Sequence, residues 1–166
     1  MKFTQEVLNV CKLLEDKKAE DIVVSDTAKI SSVAKFFIIA TASSITHTKA
    51  LADYLEHELE HINLNVVNRE GFNYSEWIVL DLDEILVHIF TKQKREYYNL
   101  EKLITEGSNT KSYDKIKKSL IKQEKEQKEK LNNQKLKQDK KLKKEKNKTT
   151  KTKESVKKTK KIKKDK

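Results

Sequence analysis

The stretch that decides the fold is WIVLDLDEILVHIF, residues 77–90. Two strand-like runs, Trp77–Leu82 and Ile85–Phe90, flank Asp83-Glu84, and this arrangement predicts a tight β-hairpin. With a two-residue loop, one face of the hairpin is wholly apolar, because alternate side chains of a strand point to the same side. The cross-strand pairs on that face are Leu82–Ile85, Leu80–Val87 and Ile78–Ile89. This face predicts a buried core.

The other face of the hairpin is mixed in character. It pairs Trp77 with Phe90, Val79 with His88, and Asp81 with Leu86. In one interpretation helices cover this face and Trp77 is a core residue. In the other the face is a docking platform, on which Trp77 is the kind of anchor that dominates interfaces. The pattern alone leaves both interpretations open.

The rest of the first 104 residues alternates helical and strand patterns. Apolar spacing predicts an amphipathic helix over residues 4–16 with Thr4 as N-cap, and a long helix capped by Ser43 or Ser44. The apolar face of the long helix consists of Leu51, Ala52, Leu55, Leu59 and Ile62. Predicted strands are Glu20–Asp26, Phe36–Ala40 and Asn65–Val67, with a turn at Gly71. One short helix carrying Tyr97, Leu100, Leu103 and Ile104 closes the unit. We therefore expect an α/β fold with a mixed central sheet and flanking helices.

Charge and aromatic content change sharply along the chain. Residues 1–104 hold 12 basic and 17 acidic side chains, a net charge of −5, whereas residues 105–166 hold 25 lysines and nine acidic side chains, a net charge of +16. Tyr113 is the only aromatic residue after 104. We predict an α/β domain over 1–104 and a lysine-rich, low-complexity tail over 105–166, disordered or partly helical within 114–146. The tail is either a solvated segment or a sequence-independent contact for RNA phosphates.

The remaining composition bears on the compartment. A single cysteine, Cys11, offers no disulfide framework, as is typical of a reducing cytoplasm. No apolar run approaches the roughly 20 residues that span a bilayer. We expect a cytoplasmic protein without a membrane anchor.

Two motifs raise the question of catalysis. His57-Glu58-Leu59-Glu60-His61 matches the H-E-x-x-H zinc-protease pattern, but both histidines lie off the apolar stripe of their helix and no third ligand follows. Asp81-Leu82-Asp83 could hold cations for nucleotidyl transfer, but no glycine-rich phosphate loop precedes it. His88 has no paired nucleophile in view. We expect no catalytic residue, no metal and no cofactor.

Six separate segments resemble the ribosomal silencing factor (RsfS/Iojap) family in the expected order. They are Lys18–Ile22, Phe37–Thr41, Lys49–Asp53, Trp77–Asp81, Val87–Phe90 and Arg95–Leu103. The resemblance covers about residues 4–104, and the lysine-rich tail lies outside the family's usual domain. In two places the sequence departs from the family's pattern: Ala42 follows Thr41 where Thr-Gly is usual, and Asp83-Glu84 stands where Gly-Asp is common.

The resemblance implies a fold related to nucleotidyltransferases but without their catalytic motif, and a function that is not enzymatic. Members of the family bind ribosomal protein fourteen of the large ribosomal subunit and block subunit joining, which represses translation when nutrients are scarce. The family's contact surface includes the positions occupied here by Trp77 and Tyr98, with Asp81, His88 and Phe90 as neighbours. The tail would add contact with ribosomal RNA, and the chain would be a monomer or a homodimer. The alternatives are a metal-dependent enzyme, either a nucleotidyltransferase or a zinc hydrolase, and a general RNA-binding protein that acts through its tail.

Overall fold

The computed structural model describes residues 3–105, 109–123, 125–126 and 128. In chain order the elements are α1 (Gln5–Asp16), β1 (Glu20–Asp26), β2 (Phe36–Ala42), α2 (Ile45–Glu60), β3 (Asn68–Glu70), β4 (Trp77–Asp81), β5 (Ile85–Thr91), α3 (Lys92–Tyr98), α4 (Leu100–Thr105) and β6 (Asn109–Ser112). The strands form one six-stranded sheet in the order β3-β4-β5-β2-β1-β6. Among these described strands, β2 and β5 pair in parallel and the other neighbours are antiparallel, so the predicted mixed α/β sheet is confirmed.

The two long helices, α1 and α2, pack on one face of the sheet. Thr4 caps α1 by accepting a hydrogen bond from the Val7 N–H, and Ser44 rather than Ser43 caps α2 by accepting from the His47 N–H. The predicted apolar stripe of α2 is fully buried from Leu51 to Leu59. Ile62 does not belong to it: it is 41% exposed, because the helix ends at Glu60.

The hairpin of β4 and β5 has the predicted register. Ile78 lies opposite Ile89, Leu80 opposite Val87, and Trp77 opposite Phe90. The tight turn depends on Asp83, which adopts a left-handed conformation with φ 67°. Aspartate tolerates this region better than most residues, and glycine tolerates it best.

Because of this backbone conformation, we expect Asp83→Gly to raise the free energy of unfolding by about 0.5–1 kcal/mol. Urea unfolding of the two proteins would measure the change. Glu84→Gly is the matched control, since Glu84 is not among the residues with positive φ, and there glycine should lower stability. A less stable Asp83→Gly protein would contradict the turn geometry.

Two predicted elements differ in the structure. The third strand is Asn68–Glu70, not Asn65–Val67, and Val67 is exposed. Its position is set by pairing with β4 and by the turn at Gly71, whose φ of 88° favours glycine and where a Cβ would lie 2.0 Å from the Trp77 carbonyl oxygen. The single closing helix is two short helices, because Asn99 takes a left-handed conformation with φ 43° and caps α3.

The compact unit extends beyond the predicted boundary at residue 104 to Lys118. Strand β6 pairs with β1, with Asn109 opposite Asp26 and Ser112 opposite Val23. Residues 113–118 are helical, and Tyr113 and Ile116 are buried. These two core residues were not predicted, because the region around them is rich in lysine and reads as part of the tail.

The second unit is Ser119–Lys166, in which the described residues 119–123, 125–126 and 128 are helical. They agree with the helical part of the tail prediction, and the rest of the predicted 114–146 segment lies outside the described residues. Across the described part of the chain, no helix is both long and apolar enough to cross a membrane.

Candidate functional site

The two faces of the sheet are covered unequally by the described elements. Opposite α1 and α2, only the short helices α3 and α4 lie on the second face, at the end of β2 and β5. There Ile104 and Leu100 pack against a cluster that includes Ile39 and Phe90. Helices therefore cover the Phe90 end of this face, and the remainder stays partly open; whether the open part docks a partner stays a prediction.

The open part of the second face is a continuous apolar surface. The parallel pairing of β2 and β5 places Phe37 beside Leu86, and the hairpin register places Val79 next to them on the same face. All of these side chains are partly exposed, as is Trp77 at the covered end, and Tyr98 on α3 is 46% exposed. We call this set, Phe37, Trp77, Val79, Leu86 and Tyr98, the platform.

Aromatic contacts hold Trp77 in a defined orientation. Its ring stacks on Phe90, with centroids 4.8 Å apart and planes 19° apart, and lies 4.9 Å from the ring of Tyr98. The indole Nε1–H donates a hydrogen bond of 3.3 Å to Nδ1 of His88. Since aromatic pairs of this geometry contribute about 0.5–1.5 kcal/mol beyond their burial, Trp77 is pre-ordered as a rigid anchor.

His88 is the polar support beneath the platform. It is 5% exposed and its ring lies 5.2 Å from that of Phe37. Burial lowers the pKa of His88 to about 4, so the imidazole is neutral near pH 7 and its Nδ1 is free to accept from Trp77. The proton then resides on Nε2, which has no hydrogen-bond partner among the described residues.

The five predicted contact residues fall into two groups. Trp77, Tyr98 and Asp81 reach the surface, and the Asp81 carboxylate accepts a hydrogen bond from the Asp83 N–H in the turn. Phe90 and His88 are buried: they contact Trp77 from below and do not themselves reach the surface. Phe37 was not predicted as a surface residue, because residues 36–40 are apolar throughout, a pattern that is typical of a central strand covered on both faces. Its place beside Leu86 comes from the parallel pairing of β2 and β5, a tertiary feature that the local sequence pattern does not encode.

The two motifs considered for catalysis belong to different elements of the fold. His57 lies on the exposed side of α2 and His61 is the exposed C-cap of that helix, with ring centroids 4.9 Å apart. Asp81 and Asp83 flank the hairpin turn on the β4 side. Over the residues that the structure describes, no group of three or more His, Cys, Asp or Glu side chains could hold a metal ion.

The fold and the surface together define a class: a mixed α/β protein with a partly exposed aromatic and apolar surface on one face of its sheet. The chain belongs to the RsfS family, described as "Ribosomal silencing factor during starvation", whose sequence model matches residues 1–163. The resemblance seen in the sequence is thereby confirmed. The match takes in most of the lysine-rich segment, which we had expected to lie outside the family's domain.

Individual relatives agree with this assignment. The chain is 39% identical to the ribosomal silencing factor RsfS of Bacillus subtilis over 89 residues, which cover 54% of this chain and 75% of that protein. It is 29% identical to the mouse protein named mitochondrial assembly of ribosomal large subunit protein 1, covering 56% of this chain and 42% of that one.

Solved structures give the same fold. A crystal structure of a Chromobacterium violaceum protein matches with a TM-score of 0.58 and 30% identity, over 62% of this chain and 88% of that one. A crystal structure of a Bacillus halodurans protein matches with a TM-score of 0.54 and 35% identity, over 60% of this chain and 94% of that one.

Proposed function

We propose that this chain docks on ribosomal protein fourteen of the large ribosomal subunit through the platform, and that its bulk then blocks joining of the small subunit. The observation that carries the proposal is the partly exposed Trp77, held between stacking and hydrogen-bonding partners at the end of an open apolar face. Anchors of this kind account for much of the binding energy of protein interfaces. Family membership supplies the ribosome as the context.

The charge around the platform favours a basic partner. Glu70 and Asp81 lie on the same sheet face as Trp77, because Glu70 pairs with Val79 across β3 and β4. Glu96 is exposed on α3, beside Tyr97 and Tyr98. Acidic side chains around an apolar centre steer a positively charged protein surface into register. The name of the mouse relative, which refers to assembly of the large subunit, supports the large subunit over the small one.

Silencing by this route needs no chemical step. A folded unit of Met1–Lys118 that occupies the joining face of the large subunit excludes the small subunit by volume alone. The protein therefore acts by occupying the joining face of the large subunit. Its effect on translation depends on its affinity for that subunit and on its abundance.

Co-sedimentation with purified ribosomal subunits tests the proposal. We expect the full-length chain to pellet with large subunits and to stay in solution with small ones. Equal recovery with both subunits would instead favour the other candidate, a general RNA-binding protein, for which the 25 lysines of residues 105–166 are the supporting observation.

Removing residues 119–166 separates the two candidates further. The truncation deletes 21 lysines and seven acidic residues while leaving β6, Tyr113 and Ile116 in place. We expect affinity for large subunits to fall about tenfold at low salt, with a shallower dependence of log affinity on log salt concentration, because fewer counterions are released. The preference for large over small subunits should persist. Complete loss of binding would place the affinity in the tail and contradict docking through the platform.

A further inference from the structure

The break between α3 and α4 is tied to the sheet by one side chain, Arg95. Its Nε and Nη2 contact the Glu101 carboxylate at 2.7 and 2.6 Å, and its Nη1 donates to the Asp21 carbonyl at 2.8 Å and to Thr41 Oγ1 at 2.6 Å. The side chain is 13% exposed. One guanidinium therefore connects α3 to the first turn of α4, to β1 and to the end of β2.

The anchor points of Arg95 in the sheet are themselves fixed. Asp21 has a φ of 47° and lies in the register shift of β1 between Glu20 and Val23, where it has no partner in the pairing with β2. Its carbonyl is thus available to Arg95 rather than to the strand pairing. Thr41 is buried in β2, opposite Phe90. Charge-assisted bonds in such a shielded position are stronger than surface ion pairs.

These contacts determine where the end of α3 lies. The Arg95 carbonyl accepts a hydrogen bond of 2.8 Å from the N–H of Asn99, the left-handed residue that ends the helix. Tyr98 precedes Asn99 and sits three residues after Arg95, about one turn along the helix. The position of the Tyr98 ring, 4.9 Å from Trp77, therefore depends on the same bonds.

We propose that Arg95 is a positioning residue for docking: it holds Tyr98 against Trp77 and so completes the platform, while its own polar groups remain engaged within the protein. The expected effect on affinity rests on the proposed function. The structural part of the inference, the contact between Tyr98 and Trp77, does not. Lysine cannot substitute, because an ammonium lacks the planar fork that serves a carboxylate, a carbonyl and a hydroxyl at once.

The test exploits the fact that Trp77 is the only tryptophan of the chain, so its fluorescence reports on the platform directly. We expect Arg95→Gln and Arg95→Lys to change the Trp77 emission and to lower affinity for large subunits about tenfold, the scale of coupling between contacting groups. Lys49→Gln, which removes an exposed positive charge from α2, should change neither. Thermal unfolding of each variant checks that the protein is folded at the assay temperature. If Arg95→Gln is unfolded there, Glu101→Gln, which removes the charge of the Arg95 partner, takes its place.

A double-mutant cycle separates positioning from general stabilisation. In a Tyr98→Ala background Arg95→Gln should have little further effect on emission or affinity, because its action passes through Tyr98. Unchanged Trp77 emission in Arg95→Gln, or a full additional loss in the Tyr98→Ala background, would overturn the inference. If the wild-type chain fails to bind large subunits, the proposed function is wrong. The Trp77 fluorescence of the Arg95 variants still shows whether Arg95 positions Tyr98.

Discussion

Acidification from pH 7 to pH 4 is expected to lower the free energy of unfolding by about 3 kcal/mol through His88 alone. Burial lowers the pKa of His88 from 6.5 to about 4, so the unfolded chain takes up this proton first. The stabilising contribution is therefore complete above the unfolded pKa of 6.5 and is lost as pH falls from there towards 4. Protonation also removes the Nδ1 lone pair that accepts from Trp77, so the platform loses its support over the same range.

Urea unfolding at a series of pH values measures this effect. Carboxylates titrate in the same range, so the informative quantity is the difference between the wild type and His88→Gln, whose stability should depend less steeply on pH. His57→Gln is the matched control, because it removes an imidazole from α2 that is 68% exposed, and it should leave the free energy of unfolding at pH 7 near that of the wild type. Parallel curves for wild type and His88→Gln would contradict a buried, neutral His88.

Replacement of Trp77 by alanine should weaken binding to large subunits by on the order of 2 kcal/mol or more, about 30-fold in the dissociation constant. The substitution removes the pre-ordered ring that stacks on Phe90 and contacts Tyr98, and with it the aromatic end of the platform. Phe90 also packs with Ile39 and Ile104, so the protein should still fold without the Trp77 ring. Thermal unfolding of the variant checks this. Equilibrium titration at a fixed salt concentration gives the affinities.

The control for Trp77→Ala is Tyr74→Ala, which removes an aromatic ring that is 83% exposed and lies outside the platform. This control should bind as the wild type does. Equal affinities of wild type and Trp77→Ala would show that docking uses another surface, whereas equal losses in both variants would point to a general effect of exposed aromatic rings.

The parts of the fold that depend on local pattern could be predicted from the sequence. The hairpin register follows from strict alternation around a two-residue loop, and Thr4 and Ser44 are caps because their side chains accept from the next turn. Strand β6 could not be predicted in this way. Asn109–Ser112 is polar throughout and becomes a strand only through its pairing with β1, more than 80 residues earlier. At the break, Asn99 is left-handed, and Arg95 in the preceding turn bonds to Asp21 and Thr41, which lie more than 50 residues earlier in the chain; such long-range bonds cannot be read from local pattern.

In the candidate site, too, some features follow from local pattern and others depend on tertiary packing. Trp77 and Tyr98 follow from the hairpin and the family resemblance, and the structure brings their rings together. The burial of Phe90 could not be predicted, because it depends on how Ile104 and Leu100 of α4 fold back over β5. The exposed state of Phe37 depends on how little of the face these short helices cover, and helical periodicity carries no information on that.

The most direct test of the account is a subunit-joining assay. Purified large and small subunits are mixed with the full-length chain under conditions that favour association, and whole ribosomes are separated from free subunits by sedimentation through a gradient. The account predicts that the wild-type chain shifts material from whole ribosomes to free subunits and travels with the large one, and that Trp77→Ala does neither at the same concentration. Undiminished joining with the wild-type chain bound to large subunits would contradict steric silencing.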